Sequence, residues 1–311
     1  MRATRLRRAT AAALAVVAVA GLAACSGDQR PQVVVTTNIL GDVVRQVVGD
    51  EVRVSVLMAP NADPHSFGLS ARQAADLETA DLVVHNGLGL EEGVARQVRS
   101  AEREGAATLA VGEEVDPLAY DRGDSRGDPD PHFWTDPARV SVAAELVRDA
   151  VVAEVDGVDV AAVERNAEAY LGELAELDDW MTTQLGSVPE PDRKLVTNHH
   201  VLGYLADRFG YEVVGAVVPS GTTLASPSAS DLDSLAGAVR AAGVRSIFAD
   251  TSQPDRLAQV LADEAGLGVR VLDLYSESLT APGEGADSYV SMMRANTTTI
   301  VDGLTEPPSQ Q

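Results

Sequence analysis

Short runs of β-branched and aliphatic residues alternate along this chain with longer stretches in which apolar residues recur every three or four positions. The short runs, bounded by turn formers, predict buried strands; the three-to-four spacing predicts helices that bury one face. Strands are expected at Val33–Thr37, Val52–Leu57, Leu82–His85 and Thr108–Val111. Helices are expected from Thr37 through Val47, where Gly49 stops the first, then after the cap Ser70, and from about Glu92 to Arg103. Further on, Val163, Ala167, Tyr170, Leu174, Leu177, Met181 and Leu185 predict one amphipathic helix of about six turns. The alternation restarts after Pro189 and Pro191, with strands at Lys194–Thr197, Glu212–Val217, Arg245–Ala249 and Val269–Leu274. Helices run between them through Arg208, from Ser230 through Ala241 and from Pro254 through Glu264; a last one covers Ala286 to Leu304 before a frayed tail from Thr305 to Gln311. The long helix could pack within a single domain. Repeated βα units on both sides of it favour an α/β chain of two lobes with a cleft between them.

The first 25 residues break this pattern. Arg2, Arg5, Arg7 and Arg8 precede an apolar run from Ala11 to Ala20, and small residues lead to Cys25, which is a signal peptide in form and too short for a membrane span. Leu22-Ala23-Ala24-Cys25 has the form of a bacterial lipobox, with Cys25 as the acylated residue after cleavage; an unmodified cysteine near a simple cleavage site is the plainer alternative. Acyl chains there would tether the protein to the outer face of the cytoplasmic membrane through lipid. The resulting division is 1–25 signal peptide, 26–157 first lobe, 158–187 connecting helix and 188–311 second lobe.

Composition narrows the chemistry. At 311 residues and 45% hydrophobic, the chain is long enough for two modest domains, and disordered or collagen-like classes are excluded. Removal of four arginines and no acid takes the formal charge from -23 to about -27, which repels nucleic acid and concentrates cations without selecting among them. Cys25 is the only cysteine, and its lipidation would leave no free thiol for a disulfide framework or a thiolate metal site. From Gly112 to Asp130 the sequence is acidic and rich in turns; its spacing does not fit an EF-hand, and a mobile solvated loop fits better.

Five histidines carry the candidate chemistry. His65 and His132 each end an Asp-Pro-His triplet, Asp63-Pro64-His65 and Asp130-Pro131-His132. Proline fixes its own φ and restricts its neighbour, so each imidazole leaves a stiff loop, and Pro137 beyond the second can open a helix. Asn198-His199-His200 follows a strand in the same setting. Taken singly, each would read as an ordinary loop or core histidine; three in strand-loop-helix settings point to a metal site. His85 ends a strand without proline support, so it is expected in a structural or supporting role beside the site.

The chain resembles the metal-specific solute-binding lipoproteins of zinc and manganese ABC transporters. The likeness rests on Thr36-Thr37-Asn38, Asp63-Pro64-His65-Ser66-Phe67, Asn86-Gly87-Leu88-Gly89-Leu90-Glu91, Pro131-His132-Phe133-Trp134-Thr135-Asp136-Pro137, Asn198-His199, Gly203-Tyr204 and Asp287-Ser288-Tyr289-Val290-Ser291-Met292-Met293. It implies two lobes joined by one long rigid helix, a single buried metal in the interlobe cleft, His65 and His132 as ligands from the first lobe, and His199 with a carboxylate from the second. Gly203-Tyr204 sets the register that selects His199 over His200, which is then exposed or supporting. Glu277 stands where the family commonly has aspartate, and Asp250 is the reserve ligand. The resemblance further implies capture of a divalent transition metal, Zn2+ before Mn2+, delivery to an ABC permease in the cytoplasmic membrane, a metallochaperone as a further partner, and no enzymatic turnover. Many zinc members carry a histidine-rich loop where this chain has its acidic one. A zinc hydrolase or a surface adhesin with a metal-stabilised fold are the competing classes; the first lacks a His-Glu-x-x-His helix and an evident general base.

Overall fold

The computed structural model describes residues 30 to 306 apart from Leu267. Cys25 and its expected acylation lie outside the described residues, as does the end of the tail. Among the described residues no helix is long and apolar enough to cross a membrane.

Two four-stranded parallel sheets form the frame. The first contains β1 (Gln32–Val35), β2 (Arg53–Val56), β3 (Leu82–His85) and β4 (Thr108–Ala110) in the order β2-β1-β3-β4. The second contains β5 (Lys194–Thr197), β6 (Glu212–Ala216), β7 (Ser246–Asp250) and β8 (Arg270–Leu274) in the equivalent order β6-β5-β7-β8. Parallel neighbours require crossovers, which α1 (Asn38–Val48), α2 (Ala71–Glu78) and α3 (Ala95–Arg103) provide in the first lobe. Then α7 (Gly203–Phe209), α8 (Ala229–Ala242) and α9 (Arg256–Ala265) do so in the second, after the short α4 (Val111–Glu114), α5 (Pro137–Glu154) and α6 (Val160–Gly186). In both sheets the strand order reverses beside the first strand of the set, and open α/β sheets bind ligands outside the carboxyl ends of strands at that reversal.

Helix α6 has 27 residues and buries Val163, Ala167, Tyr170, Leu174, Leu177, Met181 and Leu185, the periodic face read from the sequence. The Asp159 carboxylate accepts from the Ala162 N–H and starts it. It packs against α1, α5 and α10 (Tyr289–Thr305), and one continuous core runs from Val33 and Val84 through α6 to Leu195, Phe248 and Ile300. Leu177 is fully buried at its middle, so Leu177→Ala costs about 2–5 kcal/mol in lost transfer and cavity formation. The two sheets are therefore bound through shared packing.

Three boundaries shift from the sequence reading. Helix α10 starts at Tyr289 and not near Ala286, because Ser288 forms a capping box with Ser291 while Thr280 and Ala286 pair across the preceding loop. Asp136 caps α5 through the Ala138 N–H and Pro137 occupies its first turn; the hydrophobic period of this 18-residue helix was not read in advance. The acidic 112–130 stretch is not a free solvated loop throughout. Glu113 and Glu114 lie in α4, Tyr120 and Asp130 are buried, and Ala119 pairs with Pro129 across an antiparallel bridge.

Candidate metal centre

Each Asp-Pro-His triplet folds as a turn closed by its own aspartate. Asp63 Oδ1 accepts from the His65 N–H at 2.9 Å, and Asp130 Oδ1 accepts from the His132 N–H at 3.0 Å. Aspartate bonding two residues ahead, with proline fixing the residue between, leaves the histidine one backbone direction. His199 follows the end of β5, and Glu277 follows the end of β8.

These four side chains converge. Each of His65, His132, His199 and Glu277 offers a ligand atom within 4.8 Å of the others. Imidazole Nε2 atoms of His65 and His132 are 3.4 Å apart; Glu277 Oε1 is 3.2 Å from His199 Nε2 and 3.5 Å from His132 Nε2, and Oε2 is 3.7 Å from His65 Nε2. All four residues are at most 1% exposed. Both Glu277 carboxylate oxygens and both His199 ring nitrogens are buried with no hydrogen-bond partner among the described residues. A buried carboxylate left without donors is costly, and a cation at the centre of the cluster offsets that cost directly.

Burial dominates the electrostatics. It lowers His65 to about 2, helped by the charges of His132 and His199, and it pushes His132 well below and His199 below the usual imidazole range. The same burial, followed by the charges of Asp250, Asp63 and Asp130, pushes Glu277 well above the carboxylate range. Without a cation, burial favours the uncharged form at each of the four, neutral imidazoles with free lone pairs and a protonated carboxyl. A divalent ion displaces that proton.

The ring supports were only partly visible in the sequence. His132 Nδ1 lies 2.7 Å from Asp130 Oδ1 and 3.2 Å from the Tyr120 hydroxyl, so Nδ1–H donates to the carboxylate and Nε2 is left for a ligand. Burial lifts Asp130 to about 7, against hydrogen bonds from the His132 N–H and Tyr120. Tyr204 of α7 donates to the Asp130 carbonyl at 2.6 Å. Glu91 accepts from the Thr36 hydroxyl and the Asn86 N–H, and Asn86 donates to the Pro131 carbonyl beneath His132. The signal for Asp63 and Asp130 was the repeated triplet itself; Tyr120, Thr36 and Asn86 gave no spacing signal.

The remaining candidates lie outside the cluster. Asp250 is buried, with Oδ1 accepting from Ser252 and Oδ2 from the Ser276 N–H at 3.1 Å and hydroxyl at 2.6 Å, so it braces the residue before Glu277. His200 is buried, not exposed: its N–H donates to the Ser220 carbonyl, and its ring lies 6.3 Å from that of Tyr120. His85 pairs with Ala110 at the end of β3 and is not among the four.

The family model described as zinc-uptake complex component A, periplasmic, matches residues 33–303. The chain belongs to this family. Among individual relatives, it is 29% identical over 283 residues to the zinc-binding protein TroA of Treponema pallidum, covering 90% of each chain. It is 26% identical over 276 residues to the manganese-binding lipoprotein MntA of Halalkalibacterium halodurans, covering 88% of this chain and 89% of that one. The solved structure of the periplasmic zinc binding protein TroA superposes with a TM-score of 0.81 at 28% identity, covering 89% of this chain and 100% of that one. The two-lobed α/β architecture is thus the one this family member shares with TroA, and the relatives' names divide between the two metals.

Proposed function

We infer that this chain is the metal-binding component of an ABC transporter: it captures a divalent transition metal outside the cytoplasmic membrane and hands it to a permease. The cargo ion is held by His65, His132, His199 and Glu277, and zinc is the preferred one. The observation that carries this reading is the convergence of three Nε2 atoms and both Glu277 oxygens in a volume closed to solvent. An ion with tetrahedral ligands at about 2.0–2.2 Å needs edges of roughly 3.3–3.6 Å between them. With Glu277 Oε1 as the fourth donor, the edges of 3.2 Å to His199 and 3.5 Å to His132, with 3.4 Å between His65 and His132, lie in or beside that range. Three neutral imidazoles and one carboxylate are a nitrogen-rich set that suits zinc. Family membership and the names of the relatives support the transport role, and a lipid anchor at Cys25 accords with the relative named a lipoprotein.

Binding without turnover is the reading that burial of the four donors supports. Four protein donors would complete a tetrahedron about the ion, and side chains at most 1% exposed favour enclosure of the ion over access by a nucleophilic water. One observation favours manganese as the second reading: both Glu277 oxygens face the imidazoles, so the carboxylate can chelate and supply a fifth donor to a harder ion. Competitive titration of the mature protein with zinc and manganese, with elemental analysis of the purified protein, separates the two. Zinc is expected to displace manganese at equal concentration with one ion per chain; manganese retention under zinc competition would reverse the assignment.

A further inference from the structure

Three of the four donors are fastened to one side of the cleft. His65 and His132 stand on first-lobe turns, and the Glu277 loop, although it follows β8, is tied down there as well. Asn38 Nδ2 donates to Ser278 Oγ at 2.8 Å, the Leu279 N–H donates to Asn38 Oδ1 at 2.9 Å, the Asn61 N–H donates to the Leu279 carbonyl at 2.9 Å, and Trp134 Nε1 donates to the Ser276 carbonyl at 2.8 Å. His199 has no such tie, and neither ring nitrogen has a hydrogen-bond partner among the described residues. Its segment is tied to the loop after β6, because the Val218 N–H donates to the Asn198 carbonyl at 2.8 Å and the His200 N–H to the Ser220 carbonyl at 3.1 Å.

That loop, together with Gln253 in the turn after β7, is held to the first lobe at two places. On one side the Asp124 N–H donates to the Pro219 carbonyl at 2.8 Å, and the Gly221 N–H donates to Ser125 Oγ at 3.1 Å. On the other, Asp63 Oδ2 accepts from Thr223 Oγ1 at 2.7 Å and from Gln253 Nε2 at 2.9 Å. Asp63 is fixed from its own side by the His65 N–H on Oδ1, while Ser66 Oγ adds a local donor to Oδ2 at 2.8 Å that does not cross the gap. Two donors from the second lobe thus close on one buried side chain held by its own turn, and breaking a buried hydrogen bond leaves its partners unpaired at a cost.

Resting on the reading of the cluster as a metal-carrying site, we propose that the 218–223 loop with His199 is the part of the site that opens, and that Asp63, through Thr223 and Gln253, is the latch that sets how long the ion stays. His65, His132 and Glu277 form a preset half-site. His199 completes it when the latch closes. Bonds present in the closed state and broken on opening act on dissociation more than on association.

The test is stopped-flow release of zinc from the loaded mature protein into excess chelator, compared for wild type, Thr223→Val, Gln253→Leu, the double variant and Ser66→Ala. The release rate is expected to rise about tenfold in the double variant with the association rate within about twofold of wild type. Ser66→Ala, which removes a donor to the same oxygen from the same side of the gap, is expected to stay near wild type. Wild-type release from the double variant, or equal acceleration by Ser66→Ala, would overturn the latch while leaving the metal site standing. A wild-type protein that retains neither zinc nor manganese would overturn the site and the latch together.

Discussion

The two Asp-Pro-His turns are the same three residues in the same local geometry, and their aspartates do different work. In both, Oδ1 takes the histidine N–H two residues on. Asp130 then turns inward and takes Nδ1–H of its own imidazole, in a site where burial has raised it to about 7. Asp63 instead spends its second oxygen on Ser66 and on Thr223 and Gln253 across the gap. A local motif determines the direction in which a side chain leaves the backbone. For Asp63, part of what the second oxygen meets comes from the opposing lobe, which the triplet does not encode.

The largest effect that would sharpen the comparison comes from the imidazoles themselves. Alanine at His65, His132 or His199 is expected to cost at least about a hundredfold in zinc affinity while far-ultraviolet circular dichroism stays that of an α/β fold. Calorimetric titration checks this; affinity surviving His132→Ala would break the equivalence of the two turns as ligand carriers. Next comes Asp130→Asn, which keeps an acceptor for His132 but removes its charge and is expected to lower zinc affinity about 10–100-fold. The variant also has a stability signature in metal-free protein. Because the folded value lies near 7 and the ordinary value at 3.8, the stabilising contribution of Asp130 is complete below about 4 and lost as pH rises through about 7. The melting temperature of Asp130→Asn is therefore expected to gain on that of wild type between those pH values. His65 works the other way, losing stability as pH falls from 6.5 toward about 2, but it does so in both proteins and cancels in the difference. A constant gap in melting temperature would remove the buried carboxylate from the explanation. The smallest effect is expected at His200, whose replacement by alanine should change zinc affinity by less than about threefold because its ring lies beside Tyr120 and not in the cluster. Titration showing His200→Ala to be as damaging as His199→Ala would overturn the register that Gly203-Tyr204 sets.

Much of the frame was legible because it is encoded locally. The buried face of α6 is the three-to-four series from Val163 to Leu185, and the eight strands among the described residues overlap short apolar runs. The two proline turns could be read from six residues. What could not be read depends on residues far apart in sequence. Asp63 meets Gln253 across 190 positions and Asn38 meets Ser278 across 240, so neither partner has a spacing that announces the other. The acidic stretch misled for a similar reason: its carboxylates suggest a solvated loop, whereas its backbone at Asp124 and the hydroxyl of Ser125 reach the second lobe. Asp250 lies beside Glu277 in space and carries the same kind of donor. Its oxygens are taken by Ser252 and Ser276, which only the folded chain reveals.

The most direct test of the central claim is a zinc-edge anomalous difference map from crystals of the zinc-loaded mature protein, read together with a calorimetric titration of Glu277→Ala. One peak is expected, about 2.0–2.2 Å from Nε2 of His65, His132 and His199 and from a Glu277 oxygen, with affinity sharply reduced in the variant. A peak outside the four side chains, or a carboxylate beyond that distance with zinc affinity intact in Glu277→Ala, would contradict it.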